Sequence, residues 1–193
     1  MQPVILERQS VWSGYMTVTR VRLRLADGAE VWREVERHGD AVAVLPFDSA
    51  RRRAMAVRLI RLPAFEVEGA ADLLEACAGM IDLADADEAA AMRREAREEL
   101  GLALGPLERV ARIWPSPGVS GERVTLFLAP YQSADRIGAG GGAPGEEENI
   151  TVVERDLADL AADADAGRIV DGKLLTLVLA LRLRRPELFQ ASF

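Results

Sequence analysis

The densest chemistry in the chain lies in the stretch Arg94-Glu95-Ala96-Arg97-Glu98-Glu99-Leu100-Gly101-Leu102. On a helix, residues three and four apart are neighbours, so Glu95, Glu98 and Glu99 would share one edge. Like charges at that spacing repel by a few tenths of a kcal/mol per pair. A hard divalent cation turns the repulsion into a binding site, and Mg²⁺ favours carboxylate oxygens together with substrate phosphates. The same residues also read as a solvated helix face laced with Arg–Glu pairs, such as Arg94 with Glu98. A second acidic run, Glu146-Glu147-Glu148-Asn149-Ile150, follows glycines at 138, 140, 141, 142 and 145. The glycines suggest a mobile loop. The acidic run is then either a reactive cluster or solvated surface. Cys77 is the only cysteine and His38 the only histidine. Cys77 reads as a small buried apolar residue, and His38 as a structural residue at a strand entrance.

The elements that must position these groups can be read from periodicity. Tyr15, Thr17, Thr19, Val21, Leu23 and Leu25 alternate with Arg20, Arg22 and Arg24, which predicts a half-exposed strand. Asp27-Gly28 is a hairpin turn signal, leading to a second strand over Glu30–Arg37. Ala41–Phe47 reads as a buried strand closed by a turn at Asp48-Ser49, and Ala54–Leu62 as another strand. A helix over Glu88–Leu100 is capped by Asp85 or Asp87 and ended by Gly101. Strands are expected near Leu107–Trp114 and Val124–Tyr131. Helices are expected near Arg155–Gly167 and over Gly172–Arg184, the latter stopped by Pro186. Their sum is an α+β fold, an α/β/α sandwich around a mixed sheet.

Composition bounds the function. The 193 residues suit one domain core, and 49% apolar with 28% charged residues excludes a disordered or low-complexity chain. The net charge of −7 leaves no basic stripe for nucleic acid. An acidic protein that handles a phosphorylated substrate needs a cation to offset the repulsion. Of the 24 basic residues, only Lys173 is a lysine, so planar arginine clamps are plentiful. The apolar run Leu174–Leu181 is too short for a membrane span, which needs about 20 residues. The N-terminal residues show no signal-peptide pattern. With one cysteine and no disulfide, the expected compartment is the cytoplasm.

From Gly79 to Leu102 the sequence resembles the Nudix box, G-x5-E-x7-R-E-U-x-E-E-x-G-U, with U an apolar residue. The second half matches if Ala96 counts as apolar. In the first half the spacing from Gly79 to Arg94 is one residue longer than the pattern, and the intervening glutamate is missing. Asp85 is nearest to its place, and Asp85 or Asp87 could pair with Arg94 instead. The likeness extends over about residues 12–184. Arg33-Glu34, Glu36 to Asp48, Leu73-Leu74-Glu75, Ser116-Pro117-Gly118 with Glu122, and Ile169 to Lys173 are similar to the ADP-ribose pyrophosphatase branch and its GDP-mannose pyrophosphatase relatives.

That resemblance implies a Nudix fold at 41–193 with an N-terminal β extension at 1–40. It implies metal-dependent hydrolysis of nucleoside diphosphate sugars, ADP-ribose first and GDP-mannose close behind. The metal would be Mg²⁺, with Mn²⁺ as an alternative, held by Glu95, Glu99 and the Ala78 carbonyl, with Glu98 and Glu148 as further contacts. Glu146 fits the general base, with Glu98 as runner-up. Tyr15 would stack the base, Arg33 and Glu34 would reach the base across a dimer, and Arg61, Glu75 and Glu122 would contact the rest of the substrate. For Arg61 the alternative is an ordinary strand-end arginine, for Tyr15 a strand aromatic, and for Glu122 a metal contact or a surface charge. Gly79, Asp85, Arg94 and Gly101 would be structural. The branch also implies a homodimer that exchanges N-terminal strands, with no nucleic-acid or membrane partner. Two other readings remain: a non-catalytic Nudix nucleotide sensor, and a triphosphate-cleaning Nudix enzyme.

Overall fold

The computed structural model describes residues 2–143, 145 and 149–190. The chain divides into two compact units, residues 1–40 with 113–124, and residues 41–112 with 125–193.

The first unit is built on an antiparallel sheet of β1 (Val4–Ser13), β2 (Thr17–Arg24) and β3 (Glu30–Arg37), in that order. The Asp27-Gly28 turn is made as its residues require. Gly28 takes φ +91°, and the Asp27 carboxylate accepts the Ala29 N–H at 3.0 Å. Strand β1 was not anticipated. Most of its side chains are exposed, and two register irregularities break its alternation. On β2 and β3 the alternation holds: Val21 is buried, while Arg20 and Arg22 lie over the Trp32 ring, 4.8 and 6.0 Å from its centroid. Residues 113–124 join this unit through Glu36, whose N–H donates to Val119 O and whose carbonyl accepts from Gly121 N.

The second unit holds a seven-stranded sheet. Its strands are β4 (Ala41–Asp48), β5 (Arg53–Leu59), β6 (Leu73–Glu75), β7 (Cys77–Met80), β8 (Glu108–Ile113), β9 (Val124–Pro130) and β10 (Thr151–Asp156). The order is β10-β5-β4-β9-β8, with β6 paired to β5 and β7 to β4. Its helices are α1 (Leu62–Glu68), α2 (Glu88–Leu100), α3 (Leu157–Asp165) and α4 (Gly172–Arg184). Strand β4 is buried along its whole length, so both of its faces are covered. Val42 and Val44 share a core with Ala91, Met92, Ala96 and Leu100 of α2. Helix α4 also packs on β4, burying Leu174, Leu177, Val178 and Leu181 outside that core. This is the α+β architecture expected, with helices on a central sheet.

Three expectations need correction. The strand from Ala54 ends at Leu59, because Pro63 opens α1, which Gly69 closes at φ +69°. The helix expected from Arg155 begins at Leu157, since Thr151–Asp156 pairs with β5 as β10. The short β6 and β7 were also unforeseen, being too brief for periodicity to register. Among the described residues, no helix is long and apolar enough to cross a membrane.

Candidate active site

Helix α2 starts where Asp87 caps it, its carboxylate accepting Ala90 N–H at 2.7 Å. It ends at Gly101, whose φ of +65° returns its N–H to the last turn. The apolar stripe turns Ala91, Met92, Ala96 and Leu100 into the core and carries Glu95 and Glu99 to the edge of that buried face. Glu99 is 3% exposed, and its carboxylate accepts the Ala78 N–H at 3.1 Å. Glu95 lies against Gly79, so close that a β-carbon there would sit 2.0 Å from its carboxyl carbon. Strand β7 thus brings the Ala78-Gly79 backbone under both carboxylates, because its pairing places Ala78 opposite Ala43 and Gly79 opposite Val42.

Arg94 is the hub of the loop before α2. It donates to both Asp85 oxygens (3.3 and 3.0 Å), to Glu95 (2.8 Å), to Glu98 (3.1 Å) and to Met80 O (3.0 Å), with Asp82 at 3.4 Å. Asp85, not Asp87, therefore pairs with Arg94, and Asp87 is the cap. The Arg94 hydrogen bond outweighs burial and holds the Asp85 carboxyl below its ordinary range. Arg94 is in turn held firmly protonated. One guanidinium faces the four carboxyl groups of Asp82, Asp85, Glu95 and Glu98. Among the described residues no group of three or more His, Cys, Asp or Glu side chains is ready-made to hold a metal ion. The donor set still suits a hard cation: two carboxylates against one peptide, with excess negative charge. Mg²⁺ commonly uses one or two carboxylates plus substrate oxygens. Arg94 Nη1 is shared between Glu95 and Glu98, at 2.8 and 3.1 Å.

A second network lies in the same unit. Arg61 donates from Nε and Nη2 to the two Glu75 oxygens at 2.9 and 3.1 Å. Lys173 Nζ reaches Glu75 at 3.2 Å and Asp171 at 2.8 Å. Asp171 also caps α4 and accepts the Ala76 N–H at 3.2 Å. Glu75 is 3% exposed, so this is a buried carboxylate held by two cations. Burial pulls Lys173 down, but Asp171 and Glu75 outweigh it and raise its pKa. The resemblance implies separate site roles for Arg61 and Glu75 and none for Lys173 or Asp171. The signals available were an Asp-Gly helix start and the lone lysine.

Tyr15, Arg33, Glu34 and Glu122 belong to the first unit. Tyr15 is 84% exposed and stacked on His38, with centroids 6.1 Å apart. His38 Nδ1 bonds to Glu36, and its Nε2 lies 3.6 Å from Glu122. These carboxylates outweigh burial and raise the His38 pKa. Arg33 is exposed and donates to Trp32 O at 2.8 Å. Glu34 is exposed opposite Arg20. Glu146 and Glu148 lie outside the described residues. Cys77 is fully buried, as its apolar reading required.

The NUDIX domain matches residues 37–172, and the chain belongs to that family. It is a Nudix hydrolase, a class that generally uses divalent metal ions. It is 37% identical to a GDP-mannose pyrophosphatase of Pectobacterium atrosepticum over 148 residues, covering 76% of this chain and 74% of that protein. It is 35% identical to a GDP-mannose pyrophosphatase of Cronobacter sakazakii over 154 residues, 79% of this chain and 78% of that one. A solved structure described as an ADP compounds hydrolase shares the fold, with TM-score 0.78 and 17% identity over 97% of this chain and 96% of that one.

Proposed function

We propose that this Nudix hydrolase cleaves the diphosphate bond of nucleoside diphosphate sugars with Mg²⁺, releasing a nucleoside monophosphate and a sugar phosphate. The observation that carries the reading is the placement of Glu95 and Glu99 against the Ala78-Gly79 backbone. Glu95, Glu99 and the Ala78 carbonyl would hold the ion, with Glu98 and Glu148 as further contacts and Mn²⁺ as an alternative metal. Bound there, the ion would offset the diphosphate charge and lower the pKa of water. Glu146 takes the proton as water adds to one phosphorus and the bridging oxygen leaves with the other. Glu98 is the alternative base.

GDP-mannose and ADP-ribose are the first substrates to compare, the former supported by the relatives' names. Arg61 and Glu75 contact the substrate in their own subunit, while across the dimer Tyr15 stacks the base that Arg33 and Glu34 reach; Glu122 meets the terminal ribose or a metal. The relevant state is a cytoplasmic homodimer that exchanges its N-terminal strands. The exposed Val4, Ile5, Val11 and Trp12 on β1 support this state, and a monomer at micromolar concentration in light scattering counts against it.

The test is product formation from GDP-mannose, ADP-ribose, ADP-glucose, NADH and GTP, with Mg²⁺ and with chelator. Metal-dependent GMP or AMP is expected. Nucleotide binding without turnover would instead make the chain a sensor. If Glu146→Gln keeps its rate while Glu98→Gln is dead, the base lies in α2.

A further inference from the structure

The glycine-rich segment reads in sequence as a mobile loop, yet its described part is bonded to the end of α2. A helix leaves its last four carbonyls without intrahelical partners. In α2, the Arg97 carbonyl accepts from Gly101 N at 3.1 Å and that of Ala96 from Leu102 N at 3.0 Å. The next two are served from outside the helix. Glu98 O accepts from Gly142 N at 3.1 Å and Glu99 O from Gly141 N at 2.8 Å. In the reverse direction, Gly101 O accepts from Ile137 N at 2.8 Å and Gly138 N at 3.2 Å. Residues 137–142 therefore lie as a strap across the helix end.

Close approach explains the glycines. A β-carbon at Gly140 would lie 2.2 Å from Glu99 O and 2.7 Å from the Leu100 carbonyl carbon. One at Gly101 would lie 2.3 Å from Gly138 O. Gly140, Gly141 and Gly142 take φ of +73°, +110° and +98°, a run that side chains resist. Leu100 and Leu102 are fully buried, and Glu99 nearly so. Carbonyls in so dry a place need partners, and the strap supplies them.

We propose that the strap is a positioning element for the α2 carboxylates, with Gly140 as the residue that allows it to seat. This rests on the reading that Glu95 and Glu99 hold the metal. Glu99 lies in the last turn and Glu95 one turn earlier, so lifting the strap frays the support of Glu99 first. Groups that orient metal ligands change metal affinity by about 10–100-fold when lost.

The experiment measures Mn²⁺ binding by electron paramagnetic resonance, and amide exchange at Gly141 and Gly142. Gly140→Ala should raise the Mn²⁺ Kd about 10–100-fold and strip protection from both amides. Gly167→Ala is the control for backbone strain alone, since Gly167 has φ +68° and no atom lies within 4 Å of where its β-carbon would stand. It should leave Mn²⁺ affinity unchanged. Wild-type affinity in Gly140→Ala, with affinity lost in Glu99→Gln, overturns the strap proposal and leaves the metal site standing. Wild-type affinity in both variants overturns both. A measurement on the unaltered protein covers the case in which Gly140→Ala fails to fold. Coupling is reciprocal, so Mg²⁺ should slow exchange at Gly141 and Gly142, and no slowing overturns the proposal.

Discussion

Replacing Gly79 by alanine separates the carboxylate geometry from the fold. The new methyl would meet the Glu95 carboxyl carbon at 2.0 Å and its oxygens at 2.1 and 2.3 Å. Contacts closer than 3.4 Å are already tight, so the carboxyl must retreat by roughly 1.4 Å. The obstacle is the end of a flexible side chain, and the Gly79 φ is not positive. The backbone therefore accepts alanine, and such a change adds about 0.4–1 kcal/mol of stability through the unfolded chain. A misplacement of about 1 Å at a reacting centre can cost about 10²-fold. Retreat of the carboxyl strains its 2.8 Å bond from Arg94, which offsets that gain, so the expected result is a melting temperature close to that of the unaltered protein, with metal-dependent kcat/KM down about 10²-fold. Mn²⁺ affinity should fall as well. Adding Glu95→Gln should change little more, because both substitutions act on one carboxylate. A folded Gly79→Ala protein with undiminished turnover and Mn²⁺ affinity would refute the assignment of Glu95.

Two further predictions concern stability. Glu154 is held at about 2, against an ordinary 4.5, chiefly by its hydrogen bond from Arg51, with burial opposing and Tyr131 assisting. A depressed carboxylate stabilises the fold above its unfolded pKa, and this is lost as pH falls through the folded value. Glu154→Gln should therefore cost about 1 kcal/mol at neutral pH, since its partner Arg51 is exposed and solvent screens the pair, and progressively less toward pH about 2. Urea unfolding across that range checks this, and a cost independent of pH would refute it. In the other network, Lys173→Met leaves Glu75 buried with Arg61 alone. Its expected cost is about 1–3 kcal/mol in urea unfolding, and Lys173→Arg should not restore it, because a planar fork does not replace a compact ammonium.

Much of the fold was legible because it is written in local signals. Asp87, the Glu88–Leu100 stripe and Gly101 mark α2 at both ends, and the structure keeps those bounds. The uniformly apolar Ala41–Phe47 announced a strand buried on both faces. Strand β1 was missed because its bulges destroy the period of two, and β6 and β7 because three or four residues carry no period. Strand β10 was absorbed into α3 because Arg155 and Asp156 suit a helix start as well as a strand end.

The site divides in the same way. Residue types and spacing along one helix sufficed to put Glu95, Glu98 and Glu99 on a common edge, and the box pattern sufficed to name the family. Which of Asp85 and Asp87 would meet Arg94 was beyond local reasoning, since both lie within reach of a short loop. The loop's fold chose Asp85. The gathering of Arg61, Glu75, Asp171 and Lys173 needed contacts across some hundred residues. The glycines at 138–142 show the limit most plainly. Composition reads them as freedom, because a glycine's lack of a side chain loosens an isolated chain. Packed against the end of α2, the same lack of a side chain permits contact too close for any other residue. Local sequence determined which groups could do the chemistry; tertiary packing decided which are held by one another, because burial leaves each polar atom only the partners that the fold brings to it.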